Sequence, residues 1–266
     1  MIPNVLSIAG SDPSGGAGIQ ADLKTFSALG CYGMAAITAL TAQNTQGVTG
    51  VHVPPASFLV DQIEAIFADV TVAAVKIGML ANAEIVAAVA ACLVRHHPPV
   101  IVLDPVLVAT SGDSLGAPGV VEAMRTHLFP LATLITPNLP EAARLADMPE
   151  PSGIAGLEGL ASRLCELGAR AALVKGGHLS GETADDVLFD GEALTHFSAP
   201  RIVTRNTHGT GCTLSSAIAA HMARGMSLPD AIRASKAYLS AALEASDVLN
   251  VGHGHGPVHH FRWLWS

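Results

Sequence analysis

The residues best suited to chemistry lie in one short stretch, residues 205–220, with the sequence RNTHGTGCTLSSAIAA. A polar loop with two glycines runs into an apolar pattern at helical spacing, so residues 209–212 are predicted to lie at a helix N-terminus. Such an end offers unpaired N–H groups and a positive dipole, and glycine lets the backbone approach a phosphate closely. Cys212 would lie in this positive field, which lowers a thiol's pKa, so it is a candidate base or nucleophile.

Further polar residues follow short apolar runs along the chain. Asp104 comes directly after one run, Glu141 lies near the start of a helical pattern, and their carboxylates are ligands that Mg²⁺ accepts. Lys175 follows another run and precedes two glycines, so it could neutralise the charge of a phosphate. Each alone has an ordinary explanation, as a strand terminator, a first-turn carboxylate or a solvated turn residue, and Cys212 alone could be a small buried hydrophobe.

The pattern of apolar residues predicts the elements that position these side chains. Strands are predicted at residues 5–9, 33–42, 73–77, 100–103, 134–135 and 171–174, with a polar loop at 43–47 and an edge hairpin at 185–200 that turns at Asp190-Gly191. Helices are predicted at residues 19–29, 55–68, 83–95, 213–224 and 229–249, and in a region from Glu141 to about residue 167. Strands that alternate with helices this often indicate an α/β fold, a mostly parallel central sheet with helices on both faces.

In an open sheet of this class, ligands bind beyond the carboxyl ends of the strands. The predicted strand ends carry a glycine-rich loop at residues 10–18 with Asp22 beyond it, then Gln43, Met79, Asp104, Asn138, Lys175 and residues 207–212. We therefore expect these groups to converge on one crevice. Neither glycine-rich segment matches a Walker A loop or a dinucleotide-binding fingerprint, so the residues by themselves indicate an anion site and no more.

Composition excludes several classes of function. The chain has 266 residues, half of them hydrophobic, and we expect one domain spanning residues 1–266. Its formal net charge is −8 and its 14 lysines and arginines form no basic run, which argues against a nucleic-acid partner. No apolar run is long enough to cross a bilayer, the N-terminus resembles a strand rather than a signal peptide, and four cysteines show no pairing pattern, so we expect a cytoplasmic protein without a membrane partner.

Taken together, the motifs closely resemble those of the hydroxymethylpyrimidine/phosphomethylpyrimidine kinases of thiamine biosynthesis, which belong to the ribokinase-like superfamily. The matching segments are GSDPSGGAGIQAD at residues 10–22, TAQNT at 41–45, KIGML at 76–80, DPV at 104–106, TPN at 136–138 with Glu141, KGGH at 175–178 and HGTGC at 208–212. The resemblance runs in order from about residue 8 to residue 260. It implies a three-layer, ribokinase-like fold and an ATP-dependent kinase that phosphorylates hydroxymethylpyrimidine to its monophosphate and then to the diphosphate.

The resemblance also assigns roles by motif position. Gln43 would bind the aminopyrimidine, because an amide offers a donor and an acceptor in one plane. The remaining substrate-binding residues would be Gly18, Asp22, Met79 and Val106; the nucleotide would contact Asn138, Lys175, Thr207, His208, Gly209 and Gly211; and the catalytic set would be Lys175, Gly209, Thr210, Gly211 and Cys212. Asp104 and Glu141 would hold Mg²⁺, through water, and the protein would be a homodimer with a small-molecule substrate.

Cys212 distinguishes this chain from many ribokinase-like sugar kinases, which place an aspartate base at that position of the motif. The resemblance to pyrimidine and some pyridoxal kinases implies that Cys212 either deprotonates or positions the substrate hydroxyl. A pyridoxal kinase is the nearest alternative, and Gln43 favours the pyrimidine.

Two alternatives come from other classes of protein. A cysteine-nucleophile hydrolase could use Cys212, His208 and Asn206, although these residues lie in one loop, whereas catalytic partners usually converge from distant segments. A metal-binding module could use the C-terminal residues His253, His255, His259 and His260, for which a flexible cap or a helix contact is the favoured interpretation.

Overall fold

The computed structural model describes residues 1–107, 117–177 and 179–265, and His178 of the KGGH motif lies outside these ranges. The strands are β1 (Asn4–Ser11), β2 (Tyr32–Asn44), β3 (Gly47–His52), β4 (Ala74–Ile77), β5 (Ile101–Leu103), β6 (Leu134–Ile135), β7 (Ala172–Lys175), β8 (Thr183–Phe189) and β9 (Leu194–Pro200). The helices are α1 (Gly18–Ala28), α2 (Ala56–Phe67), α3 (Ala83–His96), α4 (Val120–Ala123, followed by a π-helical turn at Met124–Leu128), α5 (Leu139–Ala146), α6 (Ile154–Glu166), α7 (Thr210–Ala223) and α8 (Leu228–Glu244, followed by a 3₁₀ turn at Ser246–Val248).

All nine described strands form one sheet in the order β3-β2-β1-β4-β5-β6-β7-β8-β9. In this order the six central strands, from β2 across to β7, are parallel to one another. β3 at one edge and the β8–β9 hairpin at the other edge are antiparallel. The predicted fold class, the mostly parallel sheet and the edge hairpin are therefore confirmed.

Successive residues of each central strand point to opposite faces of the sheet, which gives the fold its two cores. On one face Leu6 and Ile8 pack with α2, α3, α5 and α6. On the other face Val5 packs with α1, α7 and α8. Because both faces are covered, the central strands are mostly apolar rather than alternating, as is typical of a buried parallel sheet, with Ser7 and Lys76 as buried polar exceptions.

One prediction about the sheet was wrong. Residues 43–47 were predicted to be a polar loop, but β2 continues to Asn44 and pairs with β3 across a tight turn. The side chains of this hairpin are partly or fully exposed, so the sequence lacks the apolar run that marks the central strands. Gln43 consequently lies on a strand, whose backbone hydrogen bonds hold it in place.

None of the described helices has the length and apolar character needed to cross a membrane.

Candidate active site

A cavity of about 990 Å³ opens where the parallel strands end. The residues predicted for the site line this cavity with a single exception, Asp22; those lining it are Gly18, Gln43, Met79, Asp104, Val106, Asn138, Glu141, Lys175, Thr207, His208, Gly209, Thr210, Gly211 and Cys212. The expected convergence on one crevice is thus seen in the structure.

The N-terminus of α7 forms one wall of the cavity. Gly209 caps the helix with φ of 78°, a conformation that favours glycine. A Cβ at this position would also overlap the carbonyl oxygen of Gly16, so the two glycine-rich loops pack backbone to backbone. The first turn of the 14-residue helix therefore presents its N–H groups and its positive dipole end beside the cavity.

A pair of opposite charges lies next to this helix end. Lys175 Nζ is 2.9 Å from Asp104 Oδ1, and a Cβ at Gly211 would lie 3.3 Å from the same Nζ. Burial raises the pKa of Asp104, but the charges of Lys175 and Lys76 outweigh it, so the net pKa is lowered and the carboxylate is ionised. The pKa of Lys175 is raised, because the charges of Asp104 and Glu141 outweigh its burial.

Glu141 takes part in a capping box at the start of α5. The Asn138 side chain accepts a hydrogen bond from the Glu141 N–H, and the Glu141 carboxylate accepts one from the Asn138 N–H, both at 2.9 Å. Burial, together with the negative charge of Asp104, raises the pKa of Glu141 to about 7, although the charge of Lys175 acts in the opposite direction. Two residues predicted to bind nucleotide and metal therefore also fix the helix that presents them.

The expected lowering of the pKa of Cys212 was wrong. Burial raises the pKa of the Cys212 thiol to about 11; the charge of Lys76 lowers it, but the charges of Asp22 and Asp104 add to the effect of burial. The thiol is therefore protonated at neutral pH. The predicted position at a helix N-terminus is confirmed, but burial and two carboxylates from other segments outweigh the effect of the helix on the thiol pKa.

Asp22 was expected to line the cavity but does not, because its carboxylate is wholly buried in an ion pair. Lys76 Nζ lies 2.9 Å from both Asp22 oxygens, and both side chains are 0% exposed. The hydroxyls of Ser7 and Ser216 donate to the same carboxylate at 2.6 and 2.7 Å. Lys76, which does line the cavity, was missed; the available signal was a lysine within the buried strand AVKI.

His208 lies on the side of the cavity predicted for the pyrimidine. Its Nε2 is 2.8 Å from Asp12 Oδ2 and 3.5 Å from the side-chain amide of Gln43. Asp12 was also missed, although its carboxylate accepts hydrogen bonds from the backbone N–H groups of Ser14 and Ala17 and so shapes the first glycine-rich loop. The only signal for Asp12 was its place in a loop of glycine, serine and proline.

The residues of the two alternative sites have other partners. His208 is paired with Asp12, and Asn206 Nδ2 donates to Asp247 at 2.9 Å, so neither serves as a partner for the Cys212 thiol. In residues 1–107, 117–177 and 179–265, no three His, Cys, Asp or Glu side chains are arranged to hold a metal ion. His260 instead shares a hydrogen bond with Thr213 at 3.1 Å, which joins the C-terminal segment to α7.

Comparison with known proteins gives consistent results. A family model described as phosphomethylpyrimidine kinase matches residues 12–259. A hydroxymethylpyrimidine/phosphomethylpyrimidine kinase of Rhizobium meliloti is 54% identical over 98% of each chain. Among solved structures, phosphomethylpyrimidine kinase of Clostridium difficile is 41% identical with a TM-score of 0.80, covering 91% of this chain and 99% of its own. Pyridoxal kinase of Staphylococcus aureus in complex with AMP-PCP and pyridoxal is 32% identical with a TM-score of 0.90, covering 99% of this chain and 95% of its own.

Proposed function

The chain belongs to the phosphomethylpyrimidine kinase family, and we propose that it transfers a phosphoryl group from ATP to hydroxymethylpyrimidine and then a second one to the monophosphate, in thiamine biosynthesis. The observation that carries this proposal is the composition of one cavity wall. The N-terminus of α7, the Lys175–Asp104 pair and the amide of Gln43 all border the same space.

Phosphoryl transfer requires mainly positioning and charge stabilisation. The N–H groups of the first turn of α7, from Gly209 onward, would receive the equatorial oxygens of the transferring group, because donors fixed in advance need no reorganisation. Lys175 would share this charge, since its ammonium stays protonated beside Asp104. Asn138 and Thr207 border the same cavity and remain our proposed nucleotide-side contacts, whereas His208, also predicted to contact the nucleotide, lies next to Gln43 on the pyrimidine side.

Asp104 and Glu141 fit a Mg²⁺ ion that accompanies the nucleotide, because they supply two hard carboxylates on one wall and such an ion needs only one or two besides phosphate oxygens and water. When bound, Mg²⁺ would neutralise charge on the phosphates. Asp104 is ionised without a ligand, whereas Glu141 would lose its proton when a cation arrives. The negative charge of the proposed metal site would therefore increase when the cation binds, because Glu141 becomes a carboxylate.

Cys212 is better suited to hold the substrate hydroxyl than to deprotonate it. With a thiol pKa of about 11, raised by burial, few molecules carry a thiolate at neutral pH. A loose transition state leaves the hydroxyl proton in place until late, so a strong base is not required. We propose that the thiol, which lies in the first turn of α7, holds the substrate hydroxyl beside that end of the helix.

Gln43, with Gly18, Met79 and Val106, forms the proposed pyrimidine pocket. The overall fold does not distinguish a kinase of hydroxymethylpyrimidine from a kinase of pyridoxal. The pyridoxal kinase of Staphylococcus aureus has a higher TM-score to this chain than the phosphomethylpyrimidine kinase of Clostridium difficile, but a lower sequence identity.

The test is to measure kcat/KM for hydroxymethylpyrimidine and for pyridoxal under identical conditions. We expect the pyrimidine to be preferred by at least about tenfold in the wild type, and Gln43→Leu to reduce that preference; a preference for pyridoxal would refute the proposed substrate.

We further propose that residues 1–266 act as one domain, that the protein is a cytoplasmic homodimer, and that nucleic acid is not a partner. The small positive complement and the net charge of −8 support the last point. Light scattering on purified protein would test the dimer, and a monomer at micromolar concentration would contradict it. Cell fractionation would test the location, and recovery with membranes would contradict it.

A further inference from the structure

The C-terminal residues 252–260, here called the strap, contact two segments that carry cavity residues. The first is the turn between β2 and β3. There the His255 N–H donates to the Thr45 carbonyl at 3.0 Å, and the Gly254 N–H donates to the Thr45 hydroxyl oxygen at 3.1 Å. A Cβ at Gly254 would overlap the Thr45 carbonyl oxygen, so this close approach requires glycine. The strap is therefore bound to the turn through its own backbone.

The other end of the strap is bound to the loop before α7 and to α7 itself. The His208 N–H donates to the Gly256 carbonyl at 3.0 Å. Further along, the His260 imidazole shares a hydrogen bond of 3.1 Å with the Thr213 hydroxyl, and the His260 carbonyl accepts a hydrogen bond from the Tyr238 hydroxyl at 3.0 Å. His260 is itself buried. This end of the strap is therefore fixed to the helix whose first turn borders the cavity.

The turn between β2 and β3 depends on such support because the hairpin extends beyond the neighbouring strand. The pairing of β1 with β2 ends at Ser11 and Leu40, whereas β2 continues to pair with β3. Just past this point the Thr41 hydroxyl donates to the Ser11 carbonyl at 2.9 Å. A two-stranded ribbon is only marginally stable by itself. Gln43 lies on this ribbon, two residues before Thr45, so its place relative to α7 depends on what holds the turn.

We infer that Thr45 is a positioning residue that, through the strap, holds Gln43 in a fixed place relative to the N-terminus of α7 and so raises the affinity of the site for the pyrimidine alcohol. The side chains of His253 and His255 are exposed, and His255 contributes its backbone N–H to the contact with Thr45. This inference rests on the proposed function, because it takes Gln43 as the group that binds the pyrimidine.

The test measures KM for hydroxymethylpyrimidine, KM for ATP and kcat in the wild type and in a set of variants. Gly254→Ala places a methyl group against the Thr45 carbonyl and so separates the strap from the turn. Thr45→Val removes the acceptor for the Gly254 N–H with little change of shape, whereas Thr45→Ser keeps the hydroxyl. His255→Ala is the matched control, because it alters an exposed side chain of the strap and keeps the N–H that donates to Thr45.

We expect KM for the pyrimidine to rise about tenfold in Gly254→Ala and at least about threefold in Thr45→Val, the effect of one or two lost hydrogen bonds. In Thr45→Ser and His255→Ala it should stay within about twofold of wild type. KM for ATP should stay within about twofold, and kcat within about threefold, in every variant, because the contacts of the strap with α7 are unchanged. A strap that only stabilised the fold would instead reduce the amount of active enzyme and leave both KM values unchanged.

An unchanged KM for the pyrimidine in both Gly254→Ala and Thr45→Val would overturn this inference alone, since the wild type would still be the proposed kinase. An equal rise of both KM values would also overturn it, because the effect would then not be confined to the side of the cavity that carries Gln43. Wild-type protein that does not phosphorylate the pyrimidine would overturn both the proposed function and this inference.

A second measurement uses the wild type and does not depend on variants that fold. If the bound strap favours binding of the pyrimidine, the pyrimidine must stabilise the bound strap by the same factor, because the two equilibria are linked. Exchange of the His255 amide hydrogen with solvent, followed by NMR, should therefore slow by at least about threefold when saturating hydroxymethylpyrimidine is added without ATP. The Glu192 amide, held in the turn at the opposite edge of the sheet, is the control and should not respond. In active wild-type protein, a His255 amide whose exchange is unaffected by the alcohol would overturn the inference.

Discussion

Replacing Lys76 with methionine would leave the buried carboxylate of Asp22 charged and without its cation. Asp22 and Lys76 are 0% exposed, and Lys76 Nζ lies 2.9 Å from both oxygens of Asp22. Methionine fills nearly the same space, so loss of the charge dominates the effect. Removing one partner of a buried ion pair typically lowers the free energy of unfolding by about 3–5 kcal/mol. The hydroxyls of Ser7 and Ser216 still donate to Asp22, so we expect about 3 kcal/mol, the lower end of that range.

The assay is equilibrium unfolding in urea at pH 7 of the wild type, Lys76→Met, and the double variant Lys76→Met/Asp22→Asn. The double variant removes the unpaired charge as well, so we expect it to recover at least half of the loss. Arg163→Met is the matched control, because the pair of Arg163 with Glu166 is 44% and 66% exposed and should contribute under about 1 kcal/mol. A loss below about 1 kcal/mol for Lys76→Met, or an equal loss in the double variant, would refute the reasoning.

Three further predictions concern groups that line the cavity. In ligand-free protein, burial raises the pKa of Glu141 to about 7 from its usual 4.5. Between these two pH values the folded state keeps a proton on Glu141 that the unfolded state has released. The free energy of unfolding therefore falls as pH rises from about 4.5 to about 7. Glu141→Gln should therefore gain about 3 kcal/mol of unfolding free energy relative to wild type between pH 4 and pH 8, measured by urea unfolding, and a pH-independent difference would contradict this. Cys212→Ser should keep kcat within about tenfold of wild type and leave the pH profile of kcat between pH 6 and 9 unchanged, whereas Cys212→Ala should lower kcat about 100-fold. A wild-type kcat that rises with pH, with the rise absent in the serine variant, would instead identify the thiol as the base. Lys175→Met should lower kcat by about 10²–10³ with KM for the pyrimidine within about threefold, and a change in KM alone would assign Lys175 to ground-state binding.

The fold was largely predictable because the central strands are short apolar runs, each ended by a polar or glycine residue. The run Ile101–Leu103 followed by Asp104 is an example, since burial on both faces of the sheet demands continuous apolar residues. β3 was not predictable in this way. Its residues from Gly47 to His52 lie at an exposed edge, where neither face must be apolar.

The site was predictable as far as it depends on strand ends, because parallel strands bring their carboxyl ends to one edge. It was not predictable where long-range pairing decides the chemistry. Asp12 and His208 are 196 residues apart, and the ion pair of Asp22 with Lys76 depends on how α1 packs against β4. The pKa of Cys212 depends on carboxylates from other elements as well as on its helix, so the helix alone predicted the wrong direction.

The most direct test of the proposed function follows the mass of the product over time after the enzyme is mixed with hydroxymethylpyrimidine, ATP and Mg²⁺. We predict that a monophosphate forms first and is then converted to the diphosphate, with one ATP consumed at each step. A Lys175→Met sample, run in parallel, controls for contaminating kinases and should form product at least about 100-fold more slowly. An unchanged mass of the pyrimidine in the presence of wild-type enzyme would contradict the proposed function.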